Sequence, residues 1–134
     1  MTNELAIVEL LGDKGDPIEY TCLDNTDVAK GTVMELEDLR TVKKVSAANK
    51  PLAGVAAHEK VANDGATTIS VYTNGIFKAT CESEGTTVGC HQVANDNTNM
   101  LADFDTLDNE TGDVIGYALE TATSGQTFLV RVKK

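Results

Sequence analysis

The sequence predicts an all-β domain, a small barrel or sandwich with short hairpins and little helix. Three observations carry this. Runs of four to eight apolar, β-branched residues recur along the chain and are separated by clusters of Gly, Asn, Asp and Pro. No apolar pattern of period 3.6 extends far enough to support a convincing long helix. Glycine sits in the middle of two otherwise apolar runs, Leu52–Ala56 and Val114–Ala118, where a missing side chain marks a bulge, a bend or a close backbone approach, the devices that let a sheet curl.

Residues Leu5 to Leu11 read as the first strand, with Leu5, Ile7 and Leu11 on one side and Ala6, Val8 and Leu10 on the other. Both faces are apolar, so this strand demands cover on both, from its own domain or from a neighbouring chain. Gly12 to Pro17 is a turn, and Ile18 to Leu23 a second strand. A polar stretch from Asp24 ends in a tight turn at Lys30-Gly31, which leads into a strand over Thr32 to Leu36. A short run from Thr41 to Ser46 follows. The turn Asn49-Lys50-Pro51 precedes the strand Leu52 to Ala57.

The clearest local signal is Asn74-Gly75 between ATTISVYT and IFKATC. A two-residue type I′ turn needs positive φ at both central positions, which Asn and Gly tolerate. It predicts a hairpin with Tyr72 opposite Phe77 and Val71 opposite Lys78. From Glu82 to Asp113 the chain is polar, with Met100 to Leu107 open between a helical turn and an irregular loop. Asp113–Thr121 and Thr127–Lys133 then read as strands around the turn Ala122–Gln126. In the last of these, Phe128, Val130 and Val132 are expected to face inward, with Thr127, Leu129, Arg131 and Lys133 largely toward solvent. The two glycine-centred strands form a weak internal echo, each followed about a dozen residues later by a second apolar strand.

At 134 residues the chain makes one domain. Aromatic residues are only 4% and Trp is absent, so the core is built from smaller aliphatic side chains, and oligomerisation is one way to add buried surface. A net charge of −10 argues against nucleic acid or an anionic membrane as partner, since Lys and Arg supply most of that affinity. The first residues carry no basic leader and no apolar run of spanning length, so synthesis and initial residence in the cytoplasm are expected. Three cysteines without a close pair predict reduced thiols rather than a disulfide framework.

The chemistry-bearing side chains form no catalytic pattern. Cys81, Cys90 and His91, with His58 more distant, are the soft-metal candidates, but no local chelating pair anchors them, and no metal or other cofactor is expected. The acidic stretch 95–113, which includes Asp96, Asp103, Asp105, Asp108, Glu110 and Asp113, supplies hard oxygen ligands without the order of an EF-hand. It supports the runner-up reading, a ligand-binding β-domain for calcium or carbohydrate. A metal-dependent enzyme built on the cysteines and histidines is a third. No nucleophile elbow or phosphate loop occurs, and the chain reads as non-enzymatic.

The segment GVAAHEKVANDGATTISVYTNGIF resembles the central region of lambda-type head decoration proteins: a glycine strand, a polar turn, a threonine-rich strand ending in an aromatic, and a second strand. LLGDKGDPIEYTCLDNTDVAKGTVMEL and TGDVIGYALETATSGQTFLVRV resemble the capsid cement proteins of tailed phages. The resemblance spans nearly the whole chain, and no matched position is catalytic. It implies a small β-tulip or barrel fold assembled as a homotrimer on the outer surface of the virion. The trimer would sit at three-fold or quasi-three-fold positions of the expanded capsid, clamping the major capsid protein against the pressure of packaged DNA. On that reading residues 1–16 are an N-terminal arm, residues 17–134 the decoration domain, and Leu5, Ile7, Val8, Leu10 and Leu11 the capsid contact. The alternative is that the arm is a core strand of its own trimer.

Overall fold

The computed structural model describes residues 3–37, 39–48, 50–104 and 114–134, and among them there are eleven strands and no helix. In chain order they are β1 (Ala6–Leu10), β2 (Ile18–Thr21), β3 (Val33–Glu37), β4 (Thr41–Lys44), β5 (Leu52–Ala56), β6 (Thr68–Tyr72), β7 (Asn74–Thr80), β8 (His91–Ala94), β9 (Leu101–Asp103), β10 (Val114–Ala118) and β11 (Thr127–Lys133). The fold is all-β, as the turn spacing predicts.

The strands divide into two systems. Strands β2-β4-β3-β5-β6 close into a barrel, and β1-β7-β11-β10-β8-β9 form a six-stranded sheet. The barrel interior is small and aliphatic, holding Met34, Val42, Ala53, Ala56, Ile69 and Val71. A second core joins the two systems. Val33, Leu52 and Val55 from the barrel wall meet Phe77, Ile115, Phe128, Val130 and Val132 from the sheet. Strand β5 is therefore buried at every residue, because it has the barrel interior on one face and the sheet on the other. Along β11, Phe128, Val130 and Val132 are buried, the inward alternation read from the sequence.

Both mid-strand glycines do what their placement predicts. A Cβ on Gly54 would lie 2.1 Å from the Tyr72 carbonyl oxygen, and one on Gly116 would lie 1.8 Å from that of Arg131. Ladder register shifts beside each, between Met34 and Glu35 opposite β5 and between Val114 and Gly116 in β10. These are bulges, each at a point of close backbone approach. The echo is real in topology: β5 pairs with β6 in the barrel, and β10 with β11 in the sheet.

The Asn74-Gly75 hairpin does not form. Strands β6 and β7 are separated by Thr73 alone and belong to different systems. Tyr72 pairs with Val55 rather than Phe77, and Val71 pairs with Ile18 and Ala56 rather than Lys78. Lys78 instead lies opposite Ala6 and Leu129. The reason is competition. Each strand has longer-range partners, seven residue pairs with β11 in the case of β7, and these bury Phe77 and Ala79 on one face. Thr73 is fixed at the crossing: its N–H donates to Gly15 O at 3.0 Å, its hydroxyl to Asp16 O at 2.7 Å, and its carbonyl accepts from Lys134 N at 2.9 Å. Tyr72 and Phe77 still meet, with ring centroids 6.0 Å apart, but across the crossing.

The polar stretch after Glu82 contains two strands that its composition conceals, β8 and β9, and Leu101–Asp103 is a short strand, neither the helical turn nor the irregular loop left open for Met100 to Leu107. Its remainder, 105–113, lies outside the described residues.

A candidate docking edge

Strand β1 is an edge strand of the six-stranded sheet, hydrogen-bonded to β7 on one side and to no described strand on the other. Its approach is anchored. Leu5 N donates to Gly31 O at 2.9 Å, Asn3 Nδ2 to Thr98 O at 2.9 Å, and the Asn99 side chain to Asn3 O at 2.9 Å. Asn99 also donates to Gly31 O at 3.1 Å and accepts from Val33 N at 2.8 Å. One buried amide thus ties the N-terminal segment, the barrel and the loop before β9 together.

The five predicted contact residues separate into two groups. Leu5, 4% exposed, belongs to the core that joins barrel and sheet, and Leu10 packs against that core. Leu11 is half-buried where the chain turns away. Ile7 and Val8 are 39% and 52% exposed. The register shifts between Ile7 and Glu9, so Val8 occupies a bulge. Two apolar faces demand cover on both; the described chain covers Leu5 and Leu10 and leaves Ala6 to Glu9 open. An exposed apolar edge with unpaired backbone groups is a template for pairing with another chain.

Beyond Leu11 the turn is locked by Asp16, whose carboxylate accepts from Asn74 Nδ2 at 2.8 Å and from Asp13 N at 2.9 Å. These bonds, Asn74's first, hold its pKa below the ordinary carboxylate value. Asn74, which propensity assigns to a turn, is thus an anchor for the segment that leaves β1.

The soft-metal candidates are not brought together. Cys81 is buried, and Cys90 is half-buried just before β8. His91 is exposed on the sheet, and His58 is exposed after β5. Among the described residues no group of three or more His, Cys, Asp or Glu is placed to hold a metal. Burial raises the pKa of all three thiols, which are free, so they are poor nucleophiles. Of the acidic stretch, Asp96 accepts from Thr98 N and Oγ1. Asp103 accepts from Thr86 Oγ1 and from Gln92 Nε2 at 2.7 Å. Both serve the fold, and Asp105, Asp108, Glu110 and Asp113 lie outside the described residues.

No curated protein matches the sequence. Among solved structures, the fold is similar to that of the head fiber gp8.5 N base in bacteriophage phi29, with a TM-score of 0.55 at 18% identity over 87% of this chain and 93% of that one. The phage cement protein family matches residues 12–134, everything after β1 and Leu11. The chain belongs to the phage cement proteins, structural proteins of the phage capsid.

Proposed function

We propose that this protein is a decoration protein that binds the outer face of an expanded capsid as a homotrimer at three-fold and quasi-three-fold positions, holding the shell against internal DNA pressure. The free edge of β1 is the contact with the major capsid protein. The observation that carries this is the pairing of exposed Ile7 and Val8 with an open strand edge on an otherwise anchored segment. An extended capsid segment added there gains ladder hydrogen bonds, each worth about 0.5–1.5 kcal/mol net, and covers the two side chains.

Stabilisation follows from linkage. A protein that binds the expanded shell and not the ruptured one shifts the balance toward the closed shell by RT ln(1 + [L]/Kd) per site, about 2.7 kcal/mol at a hundredfold excess over Kd. Over many sites small affinities sum. The anchoring through Asn3, Leu5 and Asn99 holds the edge in place before contact, which lowers the ordering cost of binding.

Val8→Lys tests the assignment. The substitution lies on an exposed bulge, so the isolated protein keeps its melting temperature while uptake by shells lacking it falls at least about tenfold. Unchanged uptake by a folded Val8→Lys protein removes β1 from the contact.

A further inference from the structure

The charges of this chain are unevenly placed. On the six-stranded sheet, the rows Gly75–Val132–Gly116 and Phe77–Val130–Ala118 face the core. The alternate rows face away: Ile76, Arg131 and Tyr117 lie side by side across β7, β11 and β10, Lys78 beside Leu129, and Asn74 beside Lys133. Ile76 and Leu129 are half-buried, Tyr117, Lys78 and Lys133 exposed. Arg131 is steadied by its bonds to Asn74 Oδ1 and Val132 O. In a chain of net charge −10 this face carries Lys78, Arg131 and Lys133 beside an apolar strip and is net cationic against two carboxylates, Glu9 at its edge and Glu120, whose Oε1 accepts from Leu129 N at 2.9 Å.

The opposite character appears on the barrel loops 22–30 and 58–66, joined by the Val28–Lys60 bridge. Leu23 and Val61 are exposed there, among the carboxylates of Asp24, Asp27, Glu59 and Asp64. The Lys60 ammonium is buried beneath them, donating to Asp24 O at 2.7 Å, Asp64 Oδ1 at 3.2 Å and Asp24 Oδ1 at 3.3 Å. Asp27 accepts from Ala62 N at 2.6 Å, so the two loops are one rigid acidic knob, with Lys30 its exposed cation.

We propose that the acidic, apolar barrel loops of one copy dock on the cationic, apolar sheet face of a second copy. This deepens, and rests on, the reading that copies of the chain associate. The two surfaces differ, and they lie on different strand systems of one chain. The contact is therefore head-to-tail rather than self-matched, the kind that closes into a ring when the rotation allows. Complementary charge steers the approach and fixes the register, while Leu23 and Val61 against Ile76, Leu129 and Tyr117 supply the apolar burial.

Concentration-dependent sedimentation of the full chain tests this, in salt of about 0.05 M and about 0.5 M. The wild-type chain self-associates, and the higher salt weakens association at least about tenfold. K78E/K133E and N25K/E59K, all at exposed positions, each weaken it by a similar factor, and the four changes combined in one chain restore it. Association unaltered in both pairs, or no recovery in the combined variant, overturns this contact while leaving self-association standing. A wild-type chain that stays monomeric in both salts overturns the contact and the associating reading together.

Discussion

Asn99 is the residue whose role is least visible in the sequence and largest in the structure. It is buried at φ 63°, a conformation Asn adopts more readily than most residues, and its amide makes three bonds to two other segments, one at Asn3 and one at Gly31 and Val33. Asn99→Ala leaves Val33 N without its acceptor and lowers unfolding stability by about 2–4 kcal/mol, read from urea denaturation. Asn99→Gly keeps the backbone conformation but not the bonds, and remains destabilised. Lys60 poses the complementary case. Desolvation pulls its pKa down, but hydrogen bonds and attraction from the Asp64 and Asp24 carboxylates outweigh it and the net shift is upward. Asp64 is shifted below its ordinary value of 3.8, by the Ala66 and Val61 amides first and by Lys60 after burial is set against them. A raised native Lys pKa gives stability that is complete below 10.5 and is lost as pH rises through the native value. A depressed native Asp pKa gives stability that is complete above 3.8 and is lost as pH falls through the native value. Lys60→Met therefore lowers the urea midpoint at neutral pH and removes the share of the alkaline limb that Lys60 supplies, while Asp64→Asn removes the share of the acid limb that Asp64 supplies.

At the level of strands, local sequence and long-range pairing compete, and each wins somewhere. Gly54 and Gly116 were legible because a glycine inside an apolar run gives up packing area that any larger residue would supply, which points to a backbone with no room for a side chain. Gly116→Ala forces a methyl onto the Arg131 carbonyl and costs about 3 kcal/mol or more in stability by urea denaturation. Gly125→Ala meets nothing within 4 Å and bears only its positive φ, costing about 1–2 kcal/mol. The Asn74-Gly75 turn was misread because turn propensity is local, whereas the strands flanking it are claimed by β11, β2 and β5. The structure places two successive residues of positive φ, Leu39 and Arg40, between β3 and β4 instead, where no propensity announces them. Leu39, 93% exposed, bears that strain because Arg40 is fixed by Nε donation to Glu19 O at 3.1 Å and by its place over the Tyr20 ring. Strand β1 divides by register: Leu5→Ala empties a core position and costs about 2–4 kcal/mol, whereas Val8→Lys changes stability by less than about 0.5 kcal/mol.

On the scale of the whole molecule, the all-β class and the inward face of β11 were readable because apolar alternation reports burial directly. The division into a closed barrel and an open sheet was not, since it depends on which strands pair at long range, and β6 runs into β7 with one residue between them. The candidate contact was legible as a strand with two apolar faces. Only the structure separates Leu5, which the core claims, from Ile7 and Val8, which it leaves open. On the proposed reading that division suits a cement protein of this size: the barrel and inner sheet face supply stability, and an exposed edge strand is left over to meet the shell. The most direct test adds the purified protein to expanded shells that lack it, following uptake and the temperature at which the shells rupture. Saturable uptake with a higher rupture temperature is the predicted result. Shells that take up no protein, or that take it up and rupture at the same temperature, contradict the account.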